Sequence, residues 1–279
     1  MERSASAQHA LFALHDDDSP IVEIRYPAFA DFLMNAQQLM SGTNWKIADI
    51  RGHDVRISPF FLVLLALFVF MGLNSASDFF YQLMWVPVLF FSILLHELGH
   101  AAASKKCGFG TSTIILHGFG GVAINRRGRT KPKDGMFIAL AGPAVTFGLA
   151  IVFLGGLMGY GALTGGESLT VLGHFLWLMV IANFFWLVLN LLPIYPLDGG
   201  QTLMHFFRNK GAQTSTATAR TAKVSLVALG VTALLTLLVF QIGGFFIIII
   251  FAFLGYMNWQ ILQQAQGGGG GPGVMRFRR

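Results

Sequence analysis

Two histidines and a glutamate stand together in a stretch of otherwise apolar residues. In His96-Glu97-Leu98-Gly99-His100 the two imidazoles are four positions apart. On a helix such side chains lie on one face, about one turn apart, so both can bind one metal ion. Glu97 lies beside that face, where its carboxylate can accept a proton from metal-bound water. These residue types at this spacing indicate metal-assisted hydrolysis.

The surroundings of the motif strengthen this interpretation. Residues 82–95 contain no ionisable side chain. A chance match in a soluble helix is the competing interpretation, but Glu97 has no basic residue within helical reach on its apolar side. A carboxylate and two imidazoles are costly to keep in such a segment, and they mark a functional site.

The composition is that of a polytopic membrane protein. The 279 residues are 54% hydrophobic and only 11% charged, whereas roughly a quarter of a soluble domain is charged. Eight of the 13 acidic residues precede Ile57. We attribute the net charge of +6 to loops that face anionic lipid, and expect no nucleic-acid partner. The single Cys107 excludes an internal disulfide.

The apolar segments predict an all-α membrane protein with six transmembrane helices. Each is near the roughly 20 residues needed to cross the hydrocarbon core. Ser58 and Pro59 predict the start of the first helix, and Pro87 predicts a kink in the second. A short membrane-associated β-hairpin, formed by residues 111–116 and 121–125, is expected between the second and third spans. The predicted spans cover residues 57–73, 79–104, 135–158, 168–192, 223–240 and 245–261.

The chain divides into three predicted parts: a cytoplasmic N-terminal segment (1–56), a six-span domain (57–263) and a flexible basic tail (264–279). The catalytic core is expected at about 79–209. Within the first part, residues 21–26 predict a strand and residues 32–40 a short amphipathic helix.

Basic residues predict the orientation of the chain. With both termini in the cytoplasm, all 19 Lys and Arg lie in or at the edge of inside segments. No secretory signal peptide is visible, because the first 30 residues lack an apolar core. We therefore expect a multi-pass protein of a prokaryotic inner membrane.

A third metal ligand is needed, because catalytic zinc usually takes three protein ligands and keeps one position for water. After His100 the acidic candidates are Asp134, Glu167 and Asp198. Glu167 falls on the outer side of the membrane, and Asp134 lies among basic residues of a loop. Asp198 follows a proline-broken segment at the depth of His100, so elimination and depth favour it. An aspartate that caps a helix is the alternative, and Asp198 could fill both roles.

The remaining histidines are weaker candidates. We expect His174 to make a polar contact between helices, and His205 to lie behind the site or in solvent. His117 falls in the turn of the hairpin. His53 has no ligand-like spacing and is expected to be solvated.

Three further segments, together with the His96–His100 motif, match the pattern of a known protein family. Together they resemble the site-2 protease family of intramembrane zinc metalloproteases, over about residues 50–210. The resemblance implies one zinc ion per chain held by His96, His100 and Asp198, with Glu97 activating water. The compact chain resembles members without a PDZ insertion or a C-terminal regulatory domain. The three further segments are Gly118-Phe119-Gly120-Gly121, Ala141-Gly142-Pro143 and Asn190 through Gly200.

The resemblance also implies contacts with a substrate. Asn190 matches an asparagine that family members place near the active site, to hold substrate backbone or the oxyanion, and Asn183 is a second candidate. The hairpin, with Gly120 and Gly121, could pair with an unwound substrate strand; a purely structural, lipid-facing hairpin is the alternative.

The expected partners are the lipid bilayer and a membrane-anchored protein with a transmembrane helix, such as an anti-sigma factor or a signal-peptide remnant. The competing functions are a metal transporter and a catalytically inactive scaffold of the same fold. A transporter would carry ionisable residues along several spans, and an inactive relative would lack Glu97 or a ligand. Metalloproteases with a distant glutamate as third ligand are excluded, since no suitable glutamate follows His100.

Overall fold

The structure is a computed structural model that describes residues 44–71, 73, 75, 78–125, 130–165, 170–240 and 245–266. These residues belong to one compact unit, Met40–Arg279. The strand and helix predicted within residues 21–40 and the tail beyond residue 266 lie outside the described residues. The described part is mostly helical with one small sheet.

Four strands form this sheet in the order β1-β2-β3-β4. Two hairpins, β1–β2 and β3–β4, are joined by parallel pairing of β2 with β3. The predicted hairpin corresponds to β3–β4, but the fold is mostly helical and not all-α, because residues 45–57 supply two further strands. The strands are β1 (Trp45–Ile50), β2 (His53–Ile57), β3 (Ser112–His117) and β4 (Gly120–Asn125).

The described part of the chain also contains eight helices, three of which lie between β2 and β3 in sequence and five after β4. Ser58 begins the first as predicted, since its Oγ accepts the backbone N–H of Phe60 at 3.1 Å. The helices are α1 (Pro59–Met71), α2 (Phe79–Leu83), α3 (Trp85–Lys106), α4 (Pro132–Thr164), α5 (Val171–Leu191), α6 (Asp198–Asn209), α7 (Thr214–Phe240) and α8 (Phe245–Gln266).

Four helical segments of the described chain are long and apolar enough to cross a membrane. They are Phe79–Lys106, Pro132–Thr164, Val171–Leu191 and Thr214–Leu238. The first of these segments consists of α2 and α3, which are separated at Met84. The predicted kink residue, Pro87, lies three residues further on. Helix α1 has 13 residues, fewer than the roughly 20 that a span needs. The six-span topology and the place of the hairpin in the membrane stay predictions.

The main core lies between the sheet, α1 and α3. Apolar side chains from all three pack together there, so the sheet is held against the helix that carries the histidine motif. Its buried members are Val55, Phe61, Leu65, Leu89, Ile93, Leu94, Ala101, Ile114 and Leu116. On its other side α3 packs against α4, which also contacts α5 and α6.

Candidate metal centre

Both histidines of the motif project from α3 toward a common point. His96 is 2% exposed, and its Nε2 atom lies 3.1 Å from Nε2 of His100. The four-residue spacing places the two rings one turn apart on the same face, as predicted. The motif therefore presents two imidazole nitrogens side by side.

Helix α4 fixes both rings through their other nitrogen. His100 Nδ1 lies 2.7 Å from the carbonyl oxygen of Ile138, which can only accept, so Nδ1 carries the proton. His96 Nδ1 lies 2.7 Å from Oγ1 of Thr146, which donates its own proton to the carbonyl of Gly142 at 3.1 Å. His96 Nδ1 must then be the donor as well. In both neutral rings the Nε2 lone pair is left for a metal ion.

Asp198, the first residue of α6, completes the group. Its side chain is buried, with Oδ2 3.1 Å from His96 Nε2 and 3.3 Å from His100 Nε2. Among the described residues no group donates a hydrogen bond to Oδ2, because both neighbouring Nε2 atoms carry a lone pair. Three atoms with lone pairs thus face one another inside the protein, which is costly unless a cation lies between them.

The spacing of the three atoms fits a tetrahedral ion. Zinc binds histidine nitrogen and carboxylate oxygen at roughly 2.0–2.1 Å, so two ligands of a tetrahedron lie about 3.3 Å apart. The three separations, 3.1, 3.1 and 3.3 Å, are close to that value. Two imidazoles and one carboxylate suit zinc, and a fourth position remains for water or substrate. Among the described residues, the potential metal-ligating atoms that lie close enough together to share one ion are those of His96, His100 and Asp198.

Glu97 lies between α3 and strand β4. Its side chain is 5% exposed, and the backbone of Ala123 hydrogen-bonds its carboxylate. A Cβ added to Gly121 would lie 2.8 Å from Glu97 Oε1, closer than real contacts allow. Gly121 is therefore the position at which β4 comes close enough to contact the candidate base.

Helix α4 contributes three features to the site, and only one of them, Gly142, lies in a segment singled out from the sequence. Besides the bonds from Ile138 and Thr146, Gly142 faces the metal-binding atoms: an added Cβ would lie 2.7 Å from His96 Nε2. Ile138, Gly142 and Thr146 are four residues apart in sequence, so they share one face of the helix. A threonine eight residues after an isoleucine on an apolar helix was the signal available, and it is weak.

Each residue predicted to contact a substrate makes a different contact within the protein itself. Asn190 donates to the carbonyl of Trp186 in its own helix at 3.0 Å. Asn183 is fully buried and donates to Ser92 Oγ at 3.0 Å, which ties α5 to α3. Gly120 packs against the ring of Trp186. Contacts of Asn190, Asn183, Gly120 and Gly121 with a substrate stay predictions.

The other histidines lie away from this group. His53 is buried and accepts the backbone N–H of Ser112 at 2.9 Å, so its expected solvation is wrong. His174 and Tyr81 form an edge-to-face ring contact between α5 and α2, where a polar contact between helices was predicted. His205 packs against Gly135, and burial lowers the pKa of its ring to about 4.

Comparison with known proteins gives several relatives of similar identity. Over 169 residues the chain is 30% identical to a zinc metalloprotease of Methanocaldococcus jannaschii, a match covering 60% of this chain and 47% of the relative. Over 154 residues it is 29% identical to the stage IV sporulation protein FB of Bacillus subtilis, covering 55% of this chain and 47% of that protein. The chain thus spans about half the length of these relatives.

The fold has also been seen before. The site-2 protease from Methanocaldococcus jannaschii superposes with a TM-score of 0.50 at 22% identity, covering 85% of this chain and 100% of that one. The model of peptidase family M50 matches residues 84–171 and 166–236, which is more than half of the chain and includes all three candidate ligands. The chain belongs to peptidase family M50.

Proposed function

We propose that the protein is an intramembrane zinc endopeptidase that cuts membrane-anchored proteins within or next to their transmembrane segments. One observation carries the proposal. Three ligand atoms at tetrahedral spacing converge beside a buried glutamate, and the glutamate and two of the ligands lie on a helix long and apolar enough to cross a membrane. His96, His100 and Asp198 would hold one zinc ion per chain.

The division of labour follows from the positions of the side chains. Bound zinc supplies Lewis acidity and makes hydroxide available near neutral pH. Glu97 accepts the proton of the attacking water and later donates it to the leaving amine. Asn190, at the end of α5, is proposed to hold the substrate backbone or the developing oxyanion.

Strand β4 is the proposed docking edge for the substrate. Both edges of β3 are taken, by β2 and β4, so β3 cannot pair with another strand. On β4 the backbone of Ala123 is directed to Glu97, away from β3. Gly121, two residues earlier, directs its N–H and C=O to the same side. An unwound substrate paired along this edge would place its scissile carbonyl beside Glu97.

The substrate is proposed to be a membrane protein with one transmembrane helix, such as an anti-sigma factor or a signal-peptide remnant. The chain is proposed to lie in the cytoplasmic membrane with both termini inside. The distribution of Lys and Arg supports this orientation.

Zinc content tests the proposal first. Detergent-purified wild type is expected to hold close to one zinc per polypeptide, and Asp198→Asn much less. Glu97→Gln keeps the ligands, so it should keep zinc while losing cleavage of a transmembrane model substrate. A folded wild type without zinc affinity would favour the inactive scaffold, and full zinc retention by Asp198→Asn would mean a different third ligand.

A further inference from the structure

The segment between α5 and α6 decides where Asp198 lies. This segment, residues 192–197, is called the ligand loop below. It folds back on itself, since the N–H of Leu197 donates to the carbonyl of Ile194 at 2.8 Å. Gly200, in the first turn of α6, packs directly on the backbone of Ile194 and Tyr195, leaving no room for a Cβ. The ligand loop and the first turn of α6 therefore move together, and Asp198 moves with them.

Helix α7 holds the ligand loop through a serine. Ser225 is fully buried, and its Oγ accepts the N–H of Tyr195 at 2.9 Å. The same oxygen lies 3.2 Å from the carbonyl of Pro193 and 2.9 Å from that of Thr221 in its own helix. The hydroxyl thus contacts two residues of the ligand loop.

Helix α8 also holds Tyr195 of the ligand loop, through an asparagine. Asn258 is fully buried, and its Nδ2 donates to the carbonyl of Tyr195 at 2.6 Å and to that of Leu254 at 2.8 Å. Both backbone groups of Tyr195 are thereby bonded by side chains from two helices that supply no candidate ligand. Polar side chains are costly inside apolar helices, so their convergence on one residue calls for a reason.

We propose that Ser225 and Asn258 are positioning residues for the metal ligand Asp198. They act through the backbone of Tyr195, three residues before Asp198, and keep Oδ2 at ligand distance from both imidazoles. The inference rests on the proposed metal site. Family resemblance does not point to Asn258, which lies beyond the residues that the family model matches.

The test measures zinc affinity of the purified full chain by competition with a chromogenic chelator. Ser225→Ala removes one hydrogen bond to the backbone of Tyr195, and Asn258→Gln displaces the other. Each variant is expected to bind zinc roughly tenfold more weakly. Ser225→Thr keeps the hydroxyl and should restore most of the affinity. Thr232→Ala is the matched control on α7, since the hydroxyl of Thr232 bonds to the carbonyls of Ala228 and Leu229 in its own helix.

A second readout separates positioning from general destabilisation. In cobalt-loaded protein, Ser225→Ala and Asn258→Gln should alter the visible absorption spectrum of the site, while Thr232→Ala leaves it unchanged. Wild-type zinc affinity and spectrum in both variants would overturn the positioning role. A wild type that binds no zinc would instead overturn the proposed function, so the two failures are distinguishable.

Discussion

Each candidate ligand histidine is held by its second ring nitrogen. Thr146 Oγ1 and the carbonyl oxygen of Ile138 accept hydrogen bonds from the two Nδ1–H groups, which leaves both Nε2 atoms directed at Asp198. Such partners fix the tautomer and the orientation of a ligating imidazole. At the scale of single residues, the affinity for metal therefore depends on α4 as well as on the three ligands.

Replacing Thr146 tests this dependence. Thr146→Val keeps the shape of the side chain but removes the acceptor for His96 Nδ1, so zinc affinity should fall roughly 10–100-fold. Thr146→Ser keeps the oxygen and should bind zinc nearly as well as wild type. Competition with a chelator measures both variants. Equal affinity of the valine variant and wild type would contradict the role of this hydrogen bond.

His117, at the tip of the β3–β4 hairpin, should make stability depend on pH. Burial lowers the pKa of its ring to about 4 from the usual 6.5. Between these values the unfolded chain binds the proton and the folded chain does not, so stability falls as pH drops from 6.5 toward 4. His205 acts in the same direction.

Melting of metal-free protein at about pH 7.5 and about pH 5 isolates this contribution. His117→Gln cannot take up the proton, so its Tm should fall less on acidification than that of wild type. Identical decreases in both proteins would show that His117 does not contribute.

Among the elements, the sheet matters because it presents β4 to Glu97. The sequence predicted the β3–β4 hairpin from two short apolar runs that flank a glycine-rich turn. It did not predict β1 and β2, although Arg51-Gly52 supports a tight turn between them. Those strands depend on pairing with β3, which lies more than 50 residues away in sequence, and local patterns carry no such information.

A proline at position 123 tests the docking edge. The N–H of a residue directed away from β3 is not part of the sheet, so Ala123→Pro should leave the sheet and the zinc content intact. It removes the backbone N–H that hydrogen-bonds Glu97 and lies on the proposed substrate edge, so cleavage should fall roughly tenfold through the loss of both contacts. Ala123→Ser keeps the donor and is the control. Undiminished cleavage by the zinc-loaded proline variant would rule out pairing along β4.

For the whole molecule, the candidate site joins distant parts of the chain. His96 and His100 lie on α3, Asp198 lies on α6, and the ligand loop is tied to α7 and α8. The sequence predicted the three ligands, because residue type, spacing and depth limit the choice of acids. It could not predict Ser225 and Asn258, because a lone serine or asparagine in an apolar helix has no spacing signal.

Metal removal should lower the stability of the whole fold. An ion that binds the folded state alone stabilises it by about 2.7 kcal/mol at a free concentration 100 times the dissociation constant. The Tm of wild type should therefore rise with added zinc and fall with a chelator. Asp198→Asn should show little of this shift. A wild-type Tm that is independent of zinc would contradict a three-ligand site.

The separation of the ligands along the chain also affects biosynthesis. The two histidines leave the ribosome about a hundred residues before the aspartate, and at roughly 5–20 residues per second this takes at least several seconds. During that time a nascent chain can offer an ion only the imidazole pair. The candidate metal centre thus receives its third ligand only after α1 to α5 have been made, and before α7 and α8, which hold the ligand loop, have been made.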